Sequence, residues 1–157
     1  IFKWIEKTFN LSRLQFWLHA GTIFITLLPG LLGAARLHPY EYAYYNSFVG
    51  GTRGAFRVYE TDYWLTCYKE AVEQFNGYAS RPANLYVHRE AYIAANYAAE
   101  GIVVRETRGN LNAIVSGDYV LVNSRTNEDR KTFHAAPIVS EVGREGATFC
   151  IIRKLGD

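Results

Sequence analysis

Methionine is missing from all 157 residues, including the first position. The simplest account is that this sequence is the C-terminal piece of a longer protein. A large excess of either charge is also lacking: the net charge is only +2, which excludes the strong electrostatic pull on nucleic acid that a basic protein exerts. There are just two cysteines, Cys67 and Cys150, and neither stands in a metal-ligand spacing, so a zinc site is excluded. In an oxidising compartment they can pair; two separate buried thiols fit the spacing equally well. No internal repeat and no low-complexity tract interrupts the chain.

Charge is absent altogether from positions 14 to 35, a run bracketed by Arg13 and Arg36. At about 1.5 Å rise per residue such a helix is roughly 33 Å long, enough to cross the hydrocarbon core of a bilayer. Gln15, His19, Thr22 and Thr26 dilute the run, yet they form no polar stripe at helical spacing, as a soluble core helix would. Trp17 near one end suits an interfacial anchor, and the kink expected at Pro29 and Gly30 is better tolerated in lipid. A cleaved signal peptide fits less well, because the run is long and its flank lacks a small-residue cleavage site. The expectation is a transmembrane helix over 14–36.

Before the span stand Lys3, Lys7 and Arg13, opposed by Glu6; after it come Arg36 and Glu41. The positive bias predicts a cytoplasmic N-terminal side and an extracytoplasmic C-terminal domain. Residues 1–13 read as an interfacial or cytoplasmic connector, with Phe2, Trp4, Ile5 and Phe9 along it.

Beyond the span the chain is rich in aromatics, with twelve tyrosines, nine phenylalanines and three tryptophans in all. Residues 37–80 form an aromatic juxtamembrane segment with a glycine-rich loop at Gly50-Gly51-Thr52-Arg53-Gly54. A helix capped by Thr61 or Asp62 follows and runs to about Asn76. Residues 81–157 read as a small α/β domain with a mixed sheet. Strands are expected at Asn84–His88, Ile102–Glu106 and Asp118–Asn123, the last apolar enough for a buried central strand. Helices are expected at Glu90–Glu100 and Asn127–Phe133. Ile138–Val142 and Ala147–Arg153 form a terminal antiparallel hairpin around Gly143-Arg144-Glu145-Gly146.

Taken residue by residue, the chemistry is sparse. Glu60 and Asp62 have the look of an acid–base pair, but their place at a helix start favours capping. His88 and His134 stand alone, and Ser124 and Ser140 lack a nucleophile-elbow pattern. The glycine loop resembles a phosphate loop only superficially, since it has no P-loop lysine and no preceding apolar strand. Tyrosines just past the span suit either an ordinary aromatic belt or stacking on sugar faces. Arg36, Arg53 and Arg57 stand where guanidinium groups can meet lipid phosphate.

The order of His38-Pro39-Tyr40-Glu41-Tyr42, the Gly-Gly loop, and Tyr59-Glu60-Thr61-Asp62-Tyr63-Trp64 opening a helix resembles a known family. It is similar to the C-terminal end of bacterial GT-C type membrane glycosyltransferases, of the dolichyl-phosphate-mannose protein mannosyltransferase kind. The resemblance covers roughly residues 14 to 155 and is most specific over 38 to 76. It implies transfer of a sugar from a polyprenyl-phosphate donor and no cofactor. It also implies substrate contacts at His38, Tyr40, Glu41, Tyr44, Arg53, Glu60, Asp62 and Trp64. In that family the catalytic acidic residues sit on an early external loop, and nothing in this chain matches it. The chain is therefore expected to be inactive by itself. It would partner membrane lipid and the remainder of a longer membrane protein. The competing expectation is a single-span, membrane-anchored α/β accessory or binding module without catalysis.

Overall fold

A computed structural model describes residues 12–156 together with Lys3. The remainder of the connector anticipated over residues 1–13 lies outside the described residues. Two compact units divide the chain, one ending at Tyr42 and one beginning at Ala43.

The first unit is dominated by helix α1, Arg13–Leu37. Ser12 caps it: its hydroxyl accepts from the Gln15 N–H while the Gln15 side chain accepts from the Ser12 N–H, a complete capping box. The helix runs unbroken through Pro29. It is long and apolar enough to cross a membrane, the one such helix among the described residues, and its most apolar window has none of its residues buried. Its polar side chains are satisfied by the helix itself. Thr22 Oγ1 donates to the Leu18 carbonyl at 2.9 Å, Thr26 Oγ1 donates to the Thr22 carbonyl, and His19 Nδ1 lies 2.6 Å from the Gln15 carbonyl. A helix in hydrocarbon needs its polar groups paired internally, because lipid offers them nothing.

The second unit is a mixed α/β fold. The glycine-rich segment forms a 3-10 turn, Ser47–Val49, and one turn of helix, α2, Gly51–Ala55. Gly54 is obligatory there: a Cβ would stand 2.0 Å from the Val49 carbonyl oxygen. Helix α3, Cys67–Tyr78, follows, later than expected, because Leu65 adopts a left-handed conformation that breaks the chain direction. Then come β1 (Ala83–Val87), α4 (Ala91–Ala95), β2 (Ile102–Glu106), β3 (Tyr119–Asn123), β4 (Ile138–Arg144) and β5 (Ala147–Lys154).

The five strands make one sheet in the order β2-β1-β3-β5-β4. β1 pairs in parallel with β2 and β3, whereas β5 runs antiparallel to β3 and β4. β3 is buried on both faces, which explains its nearly continuous apolar run. On one face Tyr86, Val120, Val122 and Ile151 pack under Ile114, Phe133 and Leu155. The alternate residues face α3, whose buried side Cys67, Tyr68, Ala71, Val72 and Phe75 recurs at helical spacing. A disulfide between Cys67 and Cys150, with Cα atoms 6.1 Å apart, fastens that helix to β5. The pairing that the spacing left open is thus made.

Two helical expectations are corrected. Glu90–Glu100 is helical only over Ala91–Ala95. The Asn76 side chain donates to the Tyr97 carbonyl and accepts from the Ala99 N–H, taking backbone groups that a longer helix would pair internally. The helix expected over Asn127–Phe133 is instead a 3-10 stretch, Arg125–Arg130, interrupted by left-handed Thr126 and Asn127.

Candidate functional site

Three parallel strands end together, so the loops after β1, β2 and β3 leave the sheet at the same edge. β1 lies between β2 and β3, and the winding reverses there. Open α/β sheets place ligands in the crevice outside such carboxyl ends. In this fold the segment 56–62 reaches that edge, where the Asn123 side chain donates to the Asp62 carbonyl at 3.3 Å. Between residues 56–61 and 124–127 lies a polar cleft of about 200 Å³.

Two arginines build its walls. Arg57 makes a bidentate pair with Asp129, at 2.5 and 2.6 Å, and a third bond to the Asn127 side chain at 3.1 Å. Its guanidinium lies 4.0 Å over the Phe56 ring. Arg125 stacks 3.9 Å over the Tyr63 ring, with its Nε 3.6 Å from the Glu60 carboxylate. Forked guanidinium groups hold such pairs rigidly. Arg57, Thr126 and Asn127 all have positive φ, at 76°, 54° and 58°. Each such non-glycine residue costs about 1–3 kcal/mol, a strain that gathers around this cleft.

Beside the cleft Glu128 is the centre of a charged cluster. His88 Nε2 lies 3.7 Å from it, Lys131 Nζ 3.5 Å and Arg89 4.0 Å, and Arg89 also donates to Thr126 Oγ1 at 3.2 Å. Burial holds the His88 imidazole below its usual range against the opposing pull of Glu128. For Glu128, burial pushes upward, but Lys131, His88 and the Thr126 hydroxyl outweigh it and the carboxyl stays below its usual range. Deeper in, Tyr68 is fully buried; burial, with the Asp62 and Glu106 carboxylates nearby, pushes its hydroxyl well up.

The residues proposed for substrate contact scatter across this picture. His38 and Glu41 belong to the first unit, where an exposed pair joins them at 2.5 Å. The Glu41 carboxyl is held low by its own backbone N–H and by His38. Tyr40, in the same unit, is buried. In the second unit Glu60 lines the cleft and meets Arg125. Asp62 does not face solvent: its oxygens accept from the Thr66 and Cys67 N–H groups at 3.0 and 3.1 Å, so it caps α3 and is no partner to Glu60 in acid–base work. Trp64 is 72 % exposed with its ring against Tyr63, Tyr44 is half-buried, and the stem of Arg53 lies over Gly146 in the β4–β5 turn. Arg57, expected at lipid phosphate, is instead committed to Asp129.

The polar run Ser124-Arg125-Thr126-Asn127-Glu128-Asp129 is marked in the sequence only by Ser124, without a nucleophile elbow, and by a helix from Asn127, with no motif that announces a cleft wall. Its signal was its place, directly after the most apolar strand of a parallel set. His88 had no visible partner because Glu128 lies forty residues away in the chain and meets it only across the strand ends. Comparison of the chain with protein-family models, with curated proteins and with solved structures finds no match.

Proposed function

We propose that this chain is the last membrane span and outer C-terminal domain of a GT-C type glycosyltransferase that takes its sugar from a polyprenyl phosphate. The observation that carries the reading is α1. Among the described residues none of its apolar window is buried, and it leads directly into the His38–Trp64 series whose order resembles that family. Two further features support an extracytoplasmic place for the α/β unit. The Cys67–Cys150 bond suits an oxidising compartment, and the basic residues gather ahead of the span. In this reading the chain contributes no catalytic carboxylate. The cleft between 56–61 and 124–127 holds part of the acceptor, with Glu60 and Arg125 as its polar contacts.

The test uses the complete reading frame that carries these residues. Further apolar spans upstream, with an acidic pair on an early external loop, are expected. Membranes containing the full protein should transfer labelled sugar from a polyprenyl-phosphate donor, and Arg125→Ala should raise the acceptor KM more than it lowers kcat. A start codon immediately ahead of Ile1 would sink the transferase reading and leave the anchored accessory module.

A further inference from the structure

We propose that the second unit rests on the phospholipid surface through an aromatic patch on residues 48–64, with Phe48, Val58 and Trp64 entering the headgroup–acyl boundary. Phe48 is 97 % exposed, Val58 71 % and Trp64 72 %. This exposure is built in. Asn46 caps the 3-10 turn that presents Phe48, its side chain accepting from the Phe48 N–H at 3.0 Å. Gly54 seats the same turn against α2 through its close approach to Val49. Tyr45 stacks on Tyr59 at 5.7 Å, and its hydroxyl donates to the Glu60 carbonyl at 2.9 Å, fastening the turn to the Val58–Trp64 stretch. Val49, Tyr59 and Tyr63 are exposed beside Phe48, Val58 and Trp64, so large apolar groups of the unit reach solvent most densely along this stretch, whereas Tyr68, Phe75 and Phe149 are fully buried. Single exposed apolar residues such as Tyr92 or Leu111 are ordinary, but six within seventeen positions make a surface suited to being covered.

The cover is lipid because of where this stretch is tied. Phe48 follows the last residue of α1 by only eleven positions. At most about 3.5 Å per residue puts it within roughly 40 Å of that helix end. Tryptophan, tyrosine and phenylalanine interspersed with arginine is the composition found at bilayer interfaces. Arg53 in the same stretch is exposed and offers a guanidinium to lipid phosphate. The inference is independent of sugar transfer; it needs only that α1 sits in the bilayer.

The experiment uses the unmodified chain in vesicles of phosphatidylcholine and phosphatidylglycerol, doped with a phospholipid carrying a photoreactive diazirine near its headgroup. After illumination and digestion, mass spectrometry should find lipid adducts on the peptides carrying Phe48 and Trp64, besides those of α1. Adducts confined to α1, or adducts nowhere, overturn the proposal. A second readout uses Trp4→Phe/Trp17→Phe, which leaves Trp64 as the sole tryptophan. Lipids brominated near the headgroup should remove most of its emission; full emission in brominated vesicles overturns the proposal, including the case in which a protein partner covers the patch. Intact Cys67–Cys150 linkage, read by mass, certifies that the variant is folded.

Discussion

Asp62 stands five positions ahead of the first residue of α3, yet its carboxylate closes that helix and Asn123 reaches it from the end of β3. Asp62→Ala strands two N–H groups at a buried helix start and removes one of the two Asp62 oxygens to which Asn123 donates. The expected loss is about 2–3 kcal/mol, read as a lower urea midpoint. A midpoint equal to the parent's would mean that water replaces the carboxylate there. His88 yields a pH dependence. Its folded-state affinity for protons is depressed, chiefly by burial. The unfolded chain therefore binds more protons as the pH falls through the usual histidine range of about 6.5. Stability is fully present above that value and drains away below it. Glu128 adds a second loss beginning below its ordinary 4.5, again because its folded value is depressed. Urea midpoints measured at about pH 7.5 and about pH 5.5 should fall for the parent and fall less for His88→Gln. Equal slopes for the two proteins would remove His88 as the cause.

The strands were largely legible along the chain because each carries its own pattern. β2 was read at its observed limits, Ile102–Glu106, and β3 and the β4–β5 hairpin nearly so. The helices were less legible, since side chains distant in sequence decide their ends. Asn76 claims the backbone after α4, and the left-handed Leu65 delays the start of α3. The cleft was hardest of all: its walls meet through Arg57 and Asp129, 72 positions apart, a pairing that no local spacing announces. The disulfide belongs to this same class of long connections. It spans 83 positions and ties α3 to the strand beneath it. By the chain-entropy estimate a loop of that size stabilises by about 4–5 kcal/mol. Cys67→Ala/Cys150→Ala should therefore lower the unfolding midpoint strongly, and the parent, denatured without reductant, should titrate no free thiol. A parent that shows two thiols would dissolve the link and, with it, one support for an oxidising compartment.

For the molecule as a whole, the proposed outer position of the α/β unit rests on two observations of different kinds. One is charge: Lys3, Lys7 and Arg13 precede α1, opposed only by Glu6. The other is redox chemistry, the Cys67–Cys150 bond within the second unit. Both support the proposal that residues from Ala43 onward lie outside the cytoplasm. Because both native cysteines are paired, an introduced thiol is the one that reacts. Arg130 is exposed at the end of the 3-10 stretch after β3 and makes a suitable site. In intact cells Arg130→Cys should be modified by a membrane-impermeant maleimide without permeabilisation, and prior treatment with that reagent should block later labelling. Labelling that requires broken membranes would put the unit in the cytoplasm. The bond between the cysteines would then stand in a reducing compartment, and an outer acceptor site between 56–61 and 124–127 would lose its footing.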